Sequence, residues 1–148
     1  MPKNNIQILL AEDDEDDRLF FLEAMIQTGQ NIIVNVAKDG VELMSLLRNE
    51  KMRLPDLIFL DLNMPLKNGL ECLKEIKSEV SLKDIPVIIF STSSSQDHID
   101  VTFNYGANLY ISKPDSISEL QTVLDGIFSN ECVDYIPQQE KNKFYFVY

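Results

Sequence analysis

A chain of 148 residues and 17.0 kDa holds one domain with a core of its own, which argues against a second. Apolar residues at 45%, charged residues at 25% and only 5 Gly and 6 Pro exclude a disordered, collagen-like or disulfide-framework chain. Lys plus Arg number 13 against 24 Asp plus Glu, giving a formal charge of −11 and a pI near 4.4, a field that repels nucleic acid and anionic lipid and excludes direct nucleic-acid binding.

In chain order, the β-branched run Ile6 to Ala11 reads as a strand, and a helical pattern follows with Leu19, Leu22 and Ile26 on one face. Ile32 to Ala37 reads as a second strand and Gly40, Leu43, Met44 and Leu47 as the face of a second helix. Asp56 to Asp61 is the third strand, and Gly69, Cys72, Leu73 and Ile76 line the third helix. After Pro86 come a fourth strand, Val87 to Ser91, a weaker helix around Ile99 and Phe103, a short strand Leu109 to Ser112, and a helix bearing Ile117, Leu120, Leu124 and Ile127. Five strand–helix units with no linker between them predict an α/β fold, a doubly wound, five-stranded parallel sheet of order 2-1-3-4-5 with helices on both faces, flavodoxin-like in class. The domain is expected over residues 1–130, with a tail over 131–148. The longest apolar runs fall far short of the roughly 20 residues that span a bilayer, and the opening Met1-Pro2-Lys3-Asn4-Asn5 lacks a signal-peptide pattern, so a cytoplasmic chain with no membrane partner is expected. Cys72 and Cys132 are then reduced thiols without a metal or redox role.

The chemistry collects at the strand ends. Strand one ends in Glu12-Asp13, strand three in Asp61, strand four in Ser91-Thr92 and strand five in Lys113-Pro114. In a doubly wound sheet these ends meet at the switch point between strands one and three. Three carboxylates there repel one another unless a cation lies among them, and an all-oxygen donor set suits Mg2+. A hydroxyl and an ammonium complete a set of metal, nucleophile, donor and positive charge around a place that a phosphoryl group fits. Alone, Asp61 would be a turn-capping carboxylate and Lys113 an exposed loop lysine; their convergence argues otherwise. The run Asp14 to Asp17 reads as helix capping and solvated surface, and His98, the only histidine, as solvated.

These stretches resemble the receiver domain of two-component response regulators, CheY-like in type, from residue 6 to about 130. The resemblance rests on Ile8-Leu9-Leu10-Ala11-Glu12-Asp13-Asp14, Leu60-Asp61-Leu62-Asn63-Met64-Pro65 with Gly69, Pro86 to Thr92, Gly106-Ala107 and Tyr110-Ile111-Ser112-Lys113-Pro114. It implies Asp61 as phosphoacceptor and Mg2+ held by Asp13, Asp61, the Asn63 backbone carbonyl and, largely through water, Glu12. It further implies Ser91 as the hydroxyl that meets the phosphoryl group, Lys113 as its cation, and Ser91 with Tyr110 as the switch pair. Thr92 is a departure, because the residue after that hydroxyl is normally small. Leu60 to Ser94 is also similar to single-domain receivers that serve phytochrome-type histidine kinases.

The resemblance implies a sensor histidine kinase or phosphotransfer protein as donor and a downstream protein as recipient, in a chain that is no enzyme beyond catalysing its own phosphorylation and dephosphorylation. Phosphatases of the haloacid dehalogenase type also use a strand-end aspartate but need a second Asp two places later, where this chain has Asn63. A non-phosphorylated scaffold would be expected to lack Asp61, Lys113 or the acidic pair, and all are present. The tail ends in Phe144-Tyr145-Phe146-Val147-Tyr148, too much apolar surface to leave in water. It is read as a sheet-edge element forming a homodimer, with packing on its own domain as the alternative.

Overall fold

The computed structural model describes residues 5–128 and 144–146. The elements are β1 (Ile6–Ala11), α1 (Glu15–Gln27), β2 (Ile32–Ala37), α2 (Gly40–Leu47), β3 (Leu57–Leu60), α3 (Gly69–Ser78), β4 (Val87–Ser91), α4 (Gln96–Asn104), β5 (Leu109–Ser112), α5 (Ile117–Phe128) and β6 (Tyr145–Phe146). All strands pair in parallel, in the order β2-β1-β3-β4-β5-β6. The expected five-stranded order is present, and one more strand lies outside β5.

Strands β3 and β4 are buried at every position, as parallel strands covered on both faces must be. On one face α2, α3 and α4 contribute Leu43, Met44, Leu47, Leu73, Ile76 and Ile99 to a single apolar cluster. On the other, α1 and α5 contribute Phe21, Met25, Leu120, Val123 and Leu124, and Phe21 stacks edge-to-face on Phe59 and Phe90 with ring centroids 4.9 and 5.6 Å away.

Each strand hands over to its helix through a side-chain cap. Asp14 accepts the Asp17 amide, Asp39 the Glu42 amide and Ser95 the His98 amide, while Asn68 and Glu71 form a reciprocal capping box. The caps end the loops sharply, so the strand-end side chains stand on short, fixed connections.

The structure corrects the reading in two places. The buried face of α1 is Phe21, Ala24 and Met25, whereas Leu19 and Ile26 are 57% and 79% exposed. Apolar residues run almost without a break from Leu19 to Ile26, so periodicity could not choose between stripes. Strand β3 is shorter than expected, which leaves Asp61 just beyond its end. In this single chain Tyr145 and Phe146 pair with β5, the packing on its own domain given above as the alternative, and Phe144 is fully buried against Phe103 and Tyr110. Cys132 and the remainder of the tail, 129–143 and 147–148, lie outside the described residues.

Candidate functional site

The sheet brings the four strand ends together. Asp61 follows β3, and its amide donates to the Ala11 carbonyl at 3.0 Å, which ties it to the end of β1. Glu12 and Asp13 follow β1 directly. One carboxylate oxygen from each of Glu12, Asp13 and Asp61 lies within 4.8 Å of the others. Glu12 and Asp61 are buried, and Asp13 is exposed at the mouth.

Lys113 enters this group from the end of β5, where its amide donates to the Ser91 carbonyl at 2.8 Å. Its Nζ donates to Glu12 Oε1 at 2.5 Å and Asp17 Oδ2 at 2.9 Å, and lies 3.5 Å from Asp61 Oδ2. Burial opposes the ammonium, yet the Asp17 and Glu12 carboxylates outweigh it and hold Lys113 above the ordinary lysine range. Burial also pushes the Glu12 carboxyl up to about 7, against the hydrogen bond from Lys113 and with the repulsion of Asp61.

The loops around the carboxylates are fixed by their own hydrogen bonds. Glu12 Oε2 accepts the Asp14 amide at 3.2 Å, and Asp61 Oδ1 accepts the Asn63 amide at 3.3 Å. The Arg18 guanidinium donates to the backbone carbonyls of Glu12 and Asp13 at 3.1 and 2.9 Å, so it orients the pair while leaving their carboxylates to the pocket. Asp13 and Asn63 open on a cleft of about 540 Å3 whose opposite wall, from α4, carries His98, Val101 and Thr102.

Ser91 is fully buried at the end of β4, and its Oγ accepts the Ser93 amide at 3.2 Å. Thr92 beside it is exposed and faces a separate groove with Asp16, Asp17 and Lys113. Tyr110 is fully buried on β5, its phenol donating to the Ser93 carbonyl at 2.8 Å with the Ser91 hydroxyl in hydrogen-bonding reach. Every expected site residue thus belongs to this end of the sheet, Asn63 through its backbone, with Tyr110 behind the β4–α4 loop.

Two contributors were not expected. Asp17, read as solvated surface, is a direct partner of Lys113 from the first turn of α1, which starts just past the end of β1. Arg18 follows it, and its role shows only in its bonds to carbonyls.

The site can do specific chemistry. Three carboxylate oxygens this close, two of them buried, carry more negative charge than one ammonium offsets, and their hard oxygen character fits Mg2+ or a similar divalent ion. The Lys113 ammonium and the buried Ser91 hydroxyl stand at the same end of the sheet, where charge on a transferred group would need them.

The comparisons with known proteins agree with this geometry. Residues 8–125 match the family model described as response regulator receiver domain. Response regulator Rcp1 of Synechocystis sp. is 33% identical over 126 residues, 82% of this chain and 86% of that protein. A crystal structure of the phosphorylated cyanobacterial phytochrome response regulator RcpA superposes with a TM-score of 0.77 at 39% identity, over 83% of this chain and 91% of the other. The Mn(2+)-bound form of Rcp1 gives 0.76 at 32% identity, over 84% and 93%.

Proposed function

We propose, because the chain belongs to the response regulator receiver domain family, that Asp61 accepts a phosphoryl group and that the chain passes this signal on by protein–protein contact. One observation carries the reading: Glu12, Asp13 and Asp61 converge within 4.8 Å while the Lys113 ammonium touches both buried carboxylates.

In the transfer, a carboxylate oxygen of Asp61 forms a bond to phosphorus as the bond from phosphorus to the donor breaks. With a phosphohistidine donor the imidazole nitrogen leaves with the bonding pair and is protonated by solvent. No general base is required, since Asp61 attacks as the anion. Lys113 follows the charge from the carboxylates to the phosphoryl oxygens, and Ser91 donates its hydroxyl to one of them. Asp13, Asp61 and the Asn63 carbonyl would hold Mg2+, with Glu12 acting through water; the ion supplies charge neutralisation. Asn63 stands where an acid/base aspartate would otherwise speed hydrolysis, so the chain catalyses only its own phosphorylation and slow dephosphorylation. That Rcp1 has been seen with Mn(2+) and RcpA phosphorylated supports both parts of the reading. The similarity to RcpA also favours a phytochrome-type sensor histidine kinase, or a phosphotransfer protein between the two, as donor in the cytoplasm.

The deciding experiment incubates the chain with Mg2+ and a small acyl phosphate and follows the intact mass. A gain of one phosphoryl group is expected, labile to hydroxylamine, with borohydride reduction converting residue 61 to homoserine. No gain, or reduction at another residue, would defeat the assignment.

Mg2+ affinity should depend on pH. Glu12, with its carboxyl near 7, holds a proton below neutrality that must leave as a cation enters. Affinity is expected to fall by up to about tenfold per unit as pH drops below 7, with proton uptake by the buffer. Calorimetric titrations at pH 6 and pH 8 in buffers of different ionisation enthalpy measure both, and equal affinities would mean that Glu12 stays ionised. The same shift has a consequence for the cation-free fold. The folded state retains a proton that the unfolded chain has lost, so this contribution to stability is complete below the ordinary carboxyl value and disappears as pH rises through about 7.

A further inference from the structure

We propose that the outer edge of β2 is an interface on which a second copy of this chain adds its own β2, antiparallel and about a two-fold axis at Val34. No described strand pairs with that edge, whereas the opposite edge of the sheet, at β5, is covered by β6 of the same chain. The bonds to β1 fix which residues of β2 are left open. The Ile6 amide donates to the Asn31 carbonyl at 2.9 Å and the Glu12 amide to the Ala37 carbonyl at 3.0 Å, with Ile6 opposite Ile32 and Ala11 opposite Ala37 in the register. A parallel ladder therefore turns the backbone of Ile33 and Asn35 toward β1 and presents the N–H and C=O groups of Ile32, Val34 and Val36 outward. Paired with its own image, β2 sets Val34 opposite Val34 and Ile32 opposite Val36 of the second copy, and each such pair exchanges both of its N–H···O bonds. One strand thus supplies both halves of the contact.

Charge and packing single out a second copy as the occupant. Residues 24–37 contain no Asp, Glu, Lys or Arg, although 25% of the chain is charged and its net charge is −11. Two such chains repel over most of their surface and can close only on a face free of charge. The edge also lacks the devices that keep sheet edges apart: β2 has no proline and no charge, and its six residues run in unbroken register with β1. On the face of the sheet covered by α1 and α5, Ile32, Val34 and Val36 are half-buried. The β1–α1–β2 crossover places α1 at the β2 end of that layer, and α5 lies on its other side, where Gln121 donates to the Gln27 carbonyl. Helical spacing gathers Leu19, Leu22 and Ile26 on one flank of α1, with Leu19 and Ile26 exposed. Addition of a second β2 brings these flanks of the two copies toward each other and removes their apolar surface from water. The proposal is independent of the chemistry at Asp61.

Sedimentation and amide exchange on the unaltered full chain, without phosphodonor, test it. As concentration is raised from micromolar toward millimolar, the mass should climb from 17.0 kDa toward twice that value. The amides of Ile32, Val34 and Val36 should then exchange about tenfold or more slowly, while those of Ile33 and Asn35, already bonded to β1, change little. Raising salt from about 0.05 M to about 0.5 M should strengthen the association, because it screens the repulsion between two acidic chains. Val34→Pro removes the outward N–H at the axis but no bond to β1, and is expected to be monomeric. Ile33→Lys, at an exposed position, sets two ammonium groups diagonally across the axis and should weaken the dimer roughly fivefold or more; it decides the matter should the proline variant fail to fold. A chain that stays monomeric toward millimolar, a dimer whose Val34 amide exchanges as fast as in the monomer, or a dimer unchanged in folded Ile33→Lys overturns the proposal. So does a dimer that weakens with salt, since opposite charges would then hold it.

Discussion

Asp61→Asn is expected to abolish phosphoryl uptake while leaving the fold at least as stable. The amide keeps the shape of the carboxylate and can still accept the Asn63 amide, so the β3–α3 loop has no reason to move. What it loses is the anionic oxygen proposed to attack phosphorus, and none of the neighbours is placed to replace it. Glu12 is engaged by Lys113 and the Asp14 amide, and Asp13 faces the open cleft. The substitution also removes one of the charges that push the Glu12 carboxyl upward, so repulsion in the cation-free pocket falls. Intact mass after incubation with Mg2+ and a small acyl phosphate measures the first effect, and a denaturant midpoint the second. A variant that gains one phosphoryl group at the unaltered rate would remove Asp61 from the role.

Gly69→Ala should be strongly disruptive, because it crowds the backbone that carries Asp61. A Cβ at residue 69 would stand 2.1 Å from the Asp61 carbonyl oxygen and 2.8 Å from Leu62 Cα. Both are backbone, so no side-chain rotation relieves the contact. Gly69 begins α3 and its amide donates to the Leu62 carbonyl at 3.0 Å, so the helix start rests directly on the Asp61–Leu62 backbone. Relief requires α3 or Asp61 to shift, at a cost of about 3 kcal/mol or more by comparison with overpacked cores. A displacement of about 1 Å at Asp61 would also lower the phosphorylation rate on the order of a hundredfold. Gly126→Ala is the control: nothing lies within 4 Å of its Cβ, it sits within α5, and it should stabilise by about 0.5–1 kcal/mol. Chemical denaturation of the two variants should therefore move in opposite directions. Equal midpoints for Gly69→Ala and the unaltered chain would mean that α3 is not seated as tightly as described.

How far the residues announce the structure differs from element to element. The buried strands β3 and β4 are unbroken apolar runs, and α2 and α3 carry their core residues at helical spacing behind Asp39 and Asn68 caps, so both pattern and punctuation agree. In α1 the pattern is saturated, and only packing against α5 and Phe59 selects Phe21 over Leu19. The site is legible where a motif and a strand end coincide, as at Asp13, Asp61 and Lys113. Asp17 was hidden by its neighbours, since one carboxylate in an acidic run carries no mark of the lysine from β5 that it will meet. The tail shows its apolar character in five consecutive residues, yet nothing in them names the acceptor edge. That depends on Phe103 and Tyr110 leaving a ring-sized seat.

The bond between Lys113 and Glu12 joins residues 101 positions apart. Such a contact sets an order of events during synthesis. Glu12, Asp13 and Asp61 leave the ribosome well before the ammonium that balances them, and β1 can take its place between β2 and β3 while β5 is still unmade. Until then the carboxylates are a cluster of like charges at the growing end of a sheet, which weakens the intermediate there and favours late closure of that end. If Asp61 takes up a phosphoryl group as proposed, that competence is deferred until β5 has joined the sheet, and a chain truncated before β5 is expected to stay silent.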